Sequence, residues 1–268
     1  MKNVLITGVS GGMGFATAKK FSENGFNVIG LDINEPKETL NNFTFFHCDL
    51  TKINSVEETF EDISKNITNL DLLISFAGIY DLNSLVEISE EDFVRIFNIN
   101  LFGVYRLNKT FLPLLTKNSK IIITSSELAP LDPLPFTGIY GITKTALEKY
   151  AYSLRMELQL LDIQVVVIRP GAVETQLLDI STNKVEKFKN NTKLYRHNAD
   201  KFNEIVNGVE SRKISANKIA DLAYKISSKR KPKYIYNINR NPLLKLLNIL
   251  PKRLANYIIL KLLKSRGK

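Results

Sequence analysis

The sequence is poor in cysteine and histidine and lacks tryptophan: one Cys and two His stand among its 268 residues. Because a single cysteine, Cys48, cannot form an internal disulfide, a disulfide-stapled secreted scaffold is excluded and a reducing, cytoplasmic setting is favoured. These residues are also too few for a zinc centre, so the sequence predicts no metal site. No apolar run approaches the ~18 residues of a membrane span. The apolar run near Met1 is cut short by glycines, which is not typical of a signal peptide.

Acidic residues are missing from the last part of the chain. Positions 229–268 hold twelve Lys and Arg and no Asp or Glu, which leaves 25 basic and 27 acidic residues before them. The net charge of +10 therefore comes from one segment. A charge of this origin gives no support to nucleic-acid recognition by the rest of the chain.

Short β-branched runs alternate with longer segments of helical period. Runs such as Leu72-Leu73-Ile74 lack in/out alternation, as expected for strands covered on both faces. Because parallel strands need helical crossovers, the alternation predicts one α/β domain with a doubly wound parallel sheet and helices on both faces. The predicted strands are Asn3–Thr7, Asn27–Leu31, Phe43–Cys48, Asp71–Ser75, Lys120–Ser125, Gln164–Ile168 and Lys233–Tyr236, and the predicted helices lie near 12–24, 54–67, 89–116 and 138–161.

A glycine-rich turn follows the first predicted strand directly. Thr7–Gly14 has the spacing TGxxxGxG, with Gly8, Gly12 and Gly14, and opens a helix over Phe15–Asn24. Glycines there let the backbone approach a pyrophosphate, whose charge is met by free N–H groups at the helix N-terminus. The alternative is a structural turn with no ligand.

An acidic residue, Asp32, ends the second predicted strand, eighteen residues past Gly14. A carboxylate at this place can accept both hydroxyls of an adenosine ribose and repel a 2′-phosphate, which favours NAD over NADP. Lys37 is near enough in sequence to leave NADP open, and Asp32 could instead only start the turn before Pro36.

A Tyr-x-x-x-Lys pattern occurs at Tyr140/Lys144, and also at Tyr105/Lys109 and Tyr257/Lys261. Only the first follows a strand that ends in serine, with Ser126 fourteen residues upstream. On a helix, positions i and i+4 share a face, so Lys144 would lie beneath the Tyr140 ring and favour the phenolate. A tyrosine that acts as a base at neutral pH needs such a neighbour, because the pKa of an unperturbed tyrosine is about 10.

In combination these residues resemble the short-chain dehydrogenase/reductase family, over roughly Lys2 to Tyr236. Asp49-Leu50 is similar to the family's adenine-contacting pair, Asn98–Gly103 to the segment carrying its active-site asparagine, and Arg169–Thr175 to its loop over the nicotinamide. One departure is clear, because the family's Asn-Asn-Ala-Gly stands here as Ser75-Phe76-Ala77-Gly78. The two asparagine side chains that the family has at this strand end are missing, so it must be held in another way. Phe76 would narrow the adenosine side of the cofactor site.

The resemblance implies a Rossmann-type enzyme that interconverts an alcohol and a carbonyl with NAD, as a homodimer or homotetramer. Tyr140 would be the general acid/base, Ser126 would hold the substrate oxygen, and Lys144 would bind the nicotinamide ribose and depress the tyrosine pKa. Asn100 would hold a water linking Lys144 to solvent. The implied cofactor-binding residues are Thr7, Gly8, Ser10, Gly12, Met13, Gly14, Asp32, Asp49, Leu50, Ala77, Gly78, Tyr140, Lys144, Pro170, Gly171, Val173 and Thr175.

The chain divides into a dinucleotide-binding catalytic domain over 1–240, which includes a loop-rich substrate lid at 174–212, and a basic amphipathic tail over 241–268. Apolar residues of the lid and the leucine-rich tail predict an apolar substrate of lipid or steroid type, and Tyr80 is expected to line the substrate side. In the tail, Leu243–Leu250 and Leu254–Leu263 predict two short amphipathic helices on which Lys245, Asn248, Lys252 and Asn256 line one polar stripe. Peripheral contact with a membrane and packing against the protein are both open for this tail.

A second class of function, a dinucleotide-sensing regulatory protein, would keep the fold and the glycine-rich turn without turnover. Such proteins usually resemble the family but lack the tyrosine or lysine, and this chain has both Tyr140 and Lys144. A sugar-nucleotide epimerase is disfavoured, because the residues after the lid are few and lipophilic.

Overall fold

The centre of the molecule is a seven-stranded, all-parallel sheet. The computed structural model describes residues 1–174, 185–210 and 212–264, with the side chains at 207, 209 and 210 outside the description. The strands are β1 (Asn3–Thr7), β2 (Asn27–Asp32), β3 (Phe43–His47), β4 (Leu70–Ser75), β5 (Leu115–Thr124), β6 (Gln164–Pro170) and β9 (Ile235–Ile238), and a separate parallel pair is formed by β7 (Val173–Glu174) and β8 (Ile214–Ser215). The strand order in the sheet is β3-β2-β1-β4-β5-β6-β9. The predicted doubly wound α/β fold is confirmed.

Helical crossovers connect the strands and cover both faces of the sheet. The helices are α1 (Gly12–Glu23), α2 (Ile53–Ser64), α3 (Glu90–Phe97), α4 (Gly103–Phe111), α5 (Gly138–Leu158), α6 (185–191), α7 (Arg196–Glu210), α8 (Ala216–Ser227), α9 (Pro242–Ile249) and α10 (Lys252–Leu263). The strand order reverses between β1 and β4, which is where sheets of this type bind ligands beyond the carboxyl ends of their strands.

Two hydrophobic cores lie on opposite faces of the sheet. Successive residues of β5 alternate between them: Ile121 and Ile123 belong to one core and Ile122 to the other, and all three are fully buried. Burial on both faces is the reason that the strand sequences lack alternation. The single cysteine, Cys48, is buried in the first core, where burial raises the pKa of its thiol.

The single helix predicted over 89–116 is interrupted. After α3 the chain forms a wide π-helical turn, Asn98–Phe102, before α4, and the last predicted helical residues already belong to a 3₁₀ turn, Leu112–Leu114, and to β5. The π-turn contains Asn100, whose carboxamide is hydrogen-bonded to the backbone of Ile79, 21 residues away. A tertiary contact therefore fixes this irregularity, which is a common setting for π-turns at functional sites.

The predictions also missed or misplaced elements in the second half of the chain. Helix α8 was not predicted, although Ser215 caps it by accepting a hydrogen bond from the Asn217 N–H. The loop-rich lid was expected over 174–212, but its described part is mostly the helices α6 and α7. A third cluster packs these helices against α10, with Phe188, Phe202 and Leu263 buried in it. The predicted strand Lys233–Tyr236 is shifted to Ile235–Ile238.

The tail forms the two predicted helices, α9 and α10, which are separated at Pro251. Asn241 caps α9 through its side-chain oxygen, and its own N–H donates to the buried carboxylate of Glu127 at 2.6 Å. Of the residues that the structure describes, no helix is long and apolar enough to cross a membrane.

Candidate active site

The glycine-rich turn joins β1 to α1 in a conformation that two of its glycines require. Gly8 has a φ of +76°, and a Cβ on it would lie 2.8 Å from the Ala77 nitrogen. A Cβ on Gly14 would lie 2.0 Å from the Gly8 carbonyl oxygen. The turn can therefore close only without side chains at these positions.

The carboxylate of Asp32, at the end of β2, lies against this turn. It accepts hydrogen bonds from the Ser10 N–H at 3.0 Å and the Asn34 N–H at 3.1 Å. The bond to Asn34 is the turn-starting role that the sequence left open, and the bond to Ser10 ties the acid to the glycine-rich turn. Each oxygen keeps a further acceptor site, so both can also accept ribose hydroxyls.

A groove of about 360 Å³ runs along the carboxyl ends of β1, β2 and β4. Asp49 on its wall accepts hydrogen bonds from the Thr51 hydroxyl and N–H. Burial acts to raise the pKa of Asp49, but these hydrogen bonds together with the hydrogen bond and charge of Lys52 lower it. Thr7 stands behind the wall, where its hydroxyl accepts from the Ala77 N–H. The predicted residues that line the groove are Gly8, Ser10, Gly12, Met13, Gly14, Asp32, Asp49, Leu50, Ala77 and Gly78; Thr51 and Ile99 were not foreseen.

A second cavity, of about 140 Å³, adjoins the groove and shares Met13, Phe76 and Gly78 with it. The structure brings Ser126, Tyr140 and Lys144 together in its lining, beside Pro170, Gly171 and Val173. Phe76, the departure from the family pattern, thus lies between the two spaces rather than at the adenosine end alone. The predicted residue Thr175, together with Leu177 and Leu178 of the lid, lies outside the described residues.

Tyr140 is the central group of this cavity. Its ring contacts the Tyr80 ring edge to face at 4.9 Å between centroids, and the Lys144 Nζ lies 5.7 Å from the Tyr140 ring centroid, on the predicted side. Burial raises the pKa of the Tyr140 hydroxyl to about 12, although a hydrogen bond with Ser126 opposes the shift; the Glu127 carboxylate adds to it. In the chain alone burial is the main influence on this pKa, and the expected lowering by Lys144 stays a prediction.

Lys144 is itself buried, and its Nζ donates to the Thr124 carbonyl oxygen at 3.1 Å. Burial lowers the pKa of Lys144 to about 8, against the opposing charge of Glu148 one turn further along α5. A lysine with this pKa can exchange a proton near neutral pH. Within the described chain, the buried Thr124 hydroxyl beside it has no hydrogen-bond partner and lines the cavity.

Asn100 holds the loop after β4. Its carboxamide oxygen accepts from the Ile79 N–H at 2.8 Å, and its Nδ2 donates to the Ile79 carbonyl and to Thr143. A Cβ on Gly78 would lie 3.2 Å from the Asn100 Oδ1 and 3.6 Å from the Lys144 Nζ. Asn100 therefore fixes the floor shared by groove and cavity, and its expected water relay stays a prediction.

The loop after β6 completes the cavity. Gly171 approaches β9 so closely that a Cβ would lie 1.9 Å from the Asn239 carbonyl oxygen. The neighbouring Arg169 forms a two-point ion pair with Glu148 of α5, with its Nε 2.7 Å from the Glu148 Oε1. The loop is thus held from both sides.

Glu127 is a residue of this site that sequence reasoning missed. Its carboxyl group is buried in the cavity lining, and burial raises its pKa, while the hydrogen bond from Asn241 and the charge of Arg240 oppose the shift. An acid next to the strand-end serine in an otherwise apolar stretch was the available signal.

The two competing Tyr-x-x-x-Lys pairs lie elsewhere. Tyr105 and Tyr257 are both exposed, and neither borders the groove or the cavity. Among the described residues, no three His, Cys, Asp or Glu side chains are grouped so that they could hold a metal ion.

The residues of the groove and of the adjoining cavity fit a dinucleotide. In the groove, glycine backbone faces the space where a diphosphate would lie and a carboxylate stands at the ribose end, and the orphaned Thr124 hydroxyl lines the adjoining cavity.

Comparison with known proteins agrees with this geometry. The family model for short chain dehydrogenases matches residues 2–186. The chain is 32% identical over 173 residues to a 3-ketodihydrosphingosine reductase of Bacteroides thetaiotaomicron, which is 64% of each chain. It is 34% identical over 182 residues to an NADPH-dependent 1-acyldihydroxyacetone phosphate reductase of Schizosaccharomyces pombe, which is 65% of this chain and 60% of the relative. The matches thus span about three fifths of these relatives' length.

A solved structure shares the fold over the whole chain. The short chain dehydrogenase/reductase of Burkholderia phymatum in complex with NAD superposes with a TM-score of 0.76 at 20% identity, covering 100% of this chain and 96% of that one.

Proposed function

The chain belongs to the short-chain dehydrogenase family, and from this membership we propose that it is an NAD-dependent oxidoreductase that interconverts an apolar alcohol and its carbonyl. The observation that carries the proposal is the meeting of Ser126, Tyr140 and Lys144 in a cavity that adjoins the glycine-lined groove. In the groove, Gly8 to Gly14 would hold the diphosphate and Asp32 the adenosine ribose. A bound nicotinamide dinucleotide supplies or takes up the hydride.

The protein manages the accompanying proton. At neutral pH a tyrosine with a pKa of about 12 is protonated, so Tyr140 donates its proton to the substrate oxygen when a carbonyl is reduced. Ser126, within hydrogen-bond reach of Tyr140, positions that oxygen. Lys144, with its pKa of about 8, then returns a proton to Tyr140. Oxidation of an alcohol runs these transfers in reverse and needs the phenolate, which favours it at higher pH.

Two finer points have different support. Asp32 supports NAD, while exposed Lys37 and the NADPH-dependent yeast relative leave NADP as the alternative. The apolar lining of the cavity and relatives named for ketodihydrosphingosine and acyldihydroxyacetone phosphate support a substrate of lipid type.

The test is to follow NADH appearance with NAD⁺ and the full chain over alcohols from short and polar to long, apolar and sterol-like, and the reverse reaction with the matching carbonyls. We expect turnover to rise with apolar length, to be lower with NADP⁺, and to fall about 10²–10⁴-fold in Tyr140→Phe with dinucleotide affinity kept.

Tyr105→Phe is the matched control, because Tyr105 heads the same sequence pattern on an exposed helix face. Its turnover should equal that of the unaltered chain. Equal turnover in Tyr140→Phe would refute the mechanism, and dinucleotide binding without turnover on any alcohol or carbonyl would favour the dinucleotide-sensing alternative. A preference for small polar alcohols would refute the lipid-type substrate.

A further inference from the structure

Polar residues of the tail reach the loop before α5 while staying exposed themselves. The Asn248 side chain accepts from the Asp132 N–H at 2.8 Å, and the Lys252 Nζ lies 3.4 Å from the Asp132 carboxylate. Asn256 lines a space beside Pro133 and Leu134. Three of the four residues of the predicted stripe thus contact or border the loop before α5, and all four, Lys245 included, are exposed.

Both tail helices bury apolar residues, such as Leu244 and Leu263, and leave other apolar residues exposed. Leu243, Leu246 and Ile249 on α9 and Leu254, Tyr257 and Leu260 on α10 are each between 46% and 70% exposed. Both sets have the spacing i, i+3, i+6, so each set lies along one side of its helix. We call these six residues the outer apolar face. Six large apolar side chains left exposed on two neighbouring helices mark a candidate interaction site.

The charge around the outer apolar face is of one sign. Lys245, Arg253 and Lys261 are exposed among its residues, and no Asp or Glu occurs from position 229 onward. A second copy of the chain laid face to face would bring these cations together with no acid to offset them. A lipid surface with anionic headgroups matches both the apolar side chains and the cations, because it is apolar inside and negatively charged at its edge. Tyrosine is common at the boundary between its headgroups and its apolar interior.

The outer apolar face is also next to the substrate cavity. Leu244, between the exposed Leu243 and Lys245, is buried and lines the cavity that contains Tyr140. Beside α10, the exposed Leu85 and Val86 border a largely apolar space of about 600 Å³ together with Leu260 and Leu263.

We infer that α9 and α10 dock the protein on an anionic lipid surface through the outer apolar face, with Lys245, Arg253 and Lys261 on the headgroups. This inference goes beyond the proposed oxidoreductase activity and does not depend on it. The two helices lie in the plane of the interface, and the wall of the substrate cavity is held at the lipid surface.

The experiment measures sedimentation of the full chain with phosphatidylcholine vesicles, with and without phosphatidylglycerol. We expect binding to the anionic vesicles that weakens with added salt, and much weaker binding to phosphatidylcholine alone. The double variant Leu246→Ser/Ile249→Ser should bind the anionic vesicles about tenfold more weakly. Lys245→Gln should weaken binding about fivefold, the effect of one cation near such a surface.

Leu160→Ser/Leu161→Ser is the matched control. These leucines are 82% and 58% exposed, close to Ile249 and Leu246 at 70% and 58%. They lie between α5 and the start of β6, at the amino edge of the sheet and thus away from the site. The control should bind like the unaltered chain.

A second readout uses the absence of tryptophan from the sequence. Tyr257→Trp places a single indole on the outer apolar face, and its emission should shift to the blue with anionic vesicles. No sedimentation and no shift would overturn the inference, as would equal loss of binding in the tail variant and the control. A dimer that dissociates in the tail variant without any vesicle binding would overturn it in favour of a second copy of the chain.

Discussion

Strand β5 and helix α9 have similarly apolar sequences but differ in how many of their apolar side chains are buried. β5 buries Ile121, Ile122 and Ile123 completely, whereas α9 exposes Leu243, Leu246 and Ile249. A strand with helices on both faces of its sheet has no exposed side on which to place an apolar residue. A surface helix with leucine on most of its circumference can bury only part of it, and α9 buries Leu244 while its neighbours stay exposed. Hydrophobic periodicity therefore identifies the apolar residues of such a helix but not which of them are buried.

The largest loss of stability is expected from a substitution in the glycine-rich turn, where the fold leaves no space for a side chain. Gly14→Ala puts a Cβ 2.0 Å from the Gly8 carbonyl oxygen, so the glycine-rich turn must open. We expect a loss of at least ~3 kcal/mol in the free energy of unfolding and loss of dinucleotide binding, measured by urea denaturation and by titration with NADH.

Gly11→Ala is the control in the same turn. Gly11 has φ −88°, which alanine adopts freely, and its Cβ would lie 3.4 Å from the nearest atom. Its stability should stay within about 1 kcal/mol of the unaltered chain. A similar loss in both variants would contradict the steric explanation.

Ion pairs give the second contrast between body and tail. Arg169 and Glu148 are 15% and 12% exposed, whereas Lys252 and Asp132 are 82% and 61% exposed. Arg169→Met leaves the partly buried Glu148 carboxylate without its partner and should cost about 3 kcal/mol in urea denaturation. Lys252→Met should change stability by no more than about 0.5 kcal/mol. Equal costs would show that the tail is held as firmly as the sheet.

Apolar truncation compares the two regions directly. Ile122→Ala creates a cavity in a core and should cost about 2–5 kcal/mol in the free energy of unfolding. Leu246→Ala removes exposed surface and should stay within about 0.5 kcal/mol. A large loss in Leu246→Ala would mean that the outer apolar face is covered in the free protein, for example by a second copy.

The smallest effect concerns Glu127, which links the two regions. Since burial raises its pKa, the folded state holds its proton more tightly than the unfolded state does. This group therefore favours folding at pH values below its unfolded pKa, and the advantage is lost as pH rises past the raised value. Glu127→Gln keeps an acceptor for the Asn241 N–H and removes the charge.

We expect Glu127→Gln to match the unaltered chain in stability near pH 4 and to exceed it by less than about 1 kcal/mol at pH 8, in thermal denaturation across pH. Removing the charge also lowers the pKa of Tyr140, so the pH profile of alcohol oxidation should move to lower pH. An unchanged pH dependence in both measurements would rule out this role for Glu127.

Local backbone chemistry explains which parts were predictable from sequence. The glycine-rich turn, Asp32 at its strand end, and the Tyr140/Lys144 pair after Ser126 are patterns within short segments, and the fold follows from alternating strands and helices. The π-turn at Asn100, the role of Glu127 and the orientation of the tail were not predictable. Each depends on a contact between distant positions: Asn100 with Ile79, Glu127 with Asn241 across 114 residues, and Asp132 with Asn248 across 116.

The distant contacts of Asn239 and Asn241 also determine the order in which parts of the fold can form during synthesis. Chains emerge from the ribosome amino end first, and the glycine-lined groove is built from residues that emerge early. The cavity around Tyr140 is finished only when β9 and the start of α9 arrive, because Asn239 packs on Gly171 and the Asn241 N–H donates to the buried Glu127 carboxylate. A nascent chain therefore completes the glycine-lined groove before it completes the cavity around Tyr140.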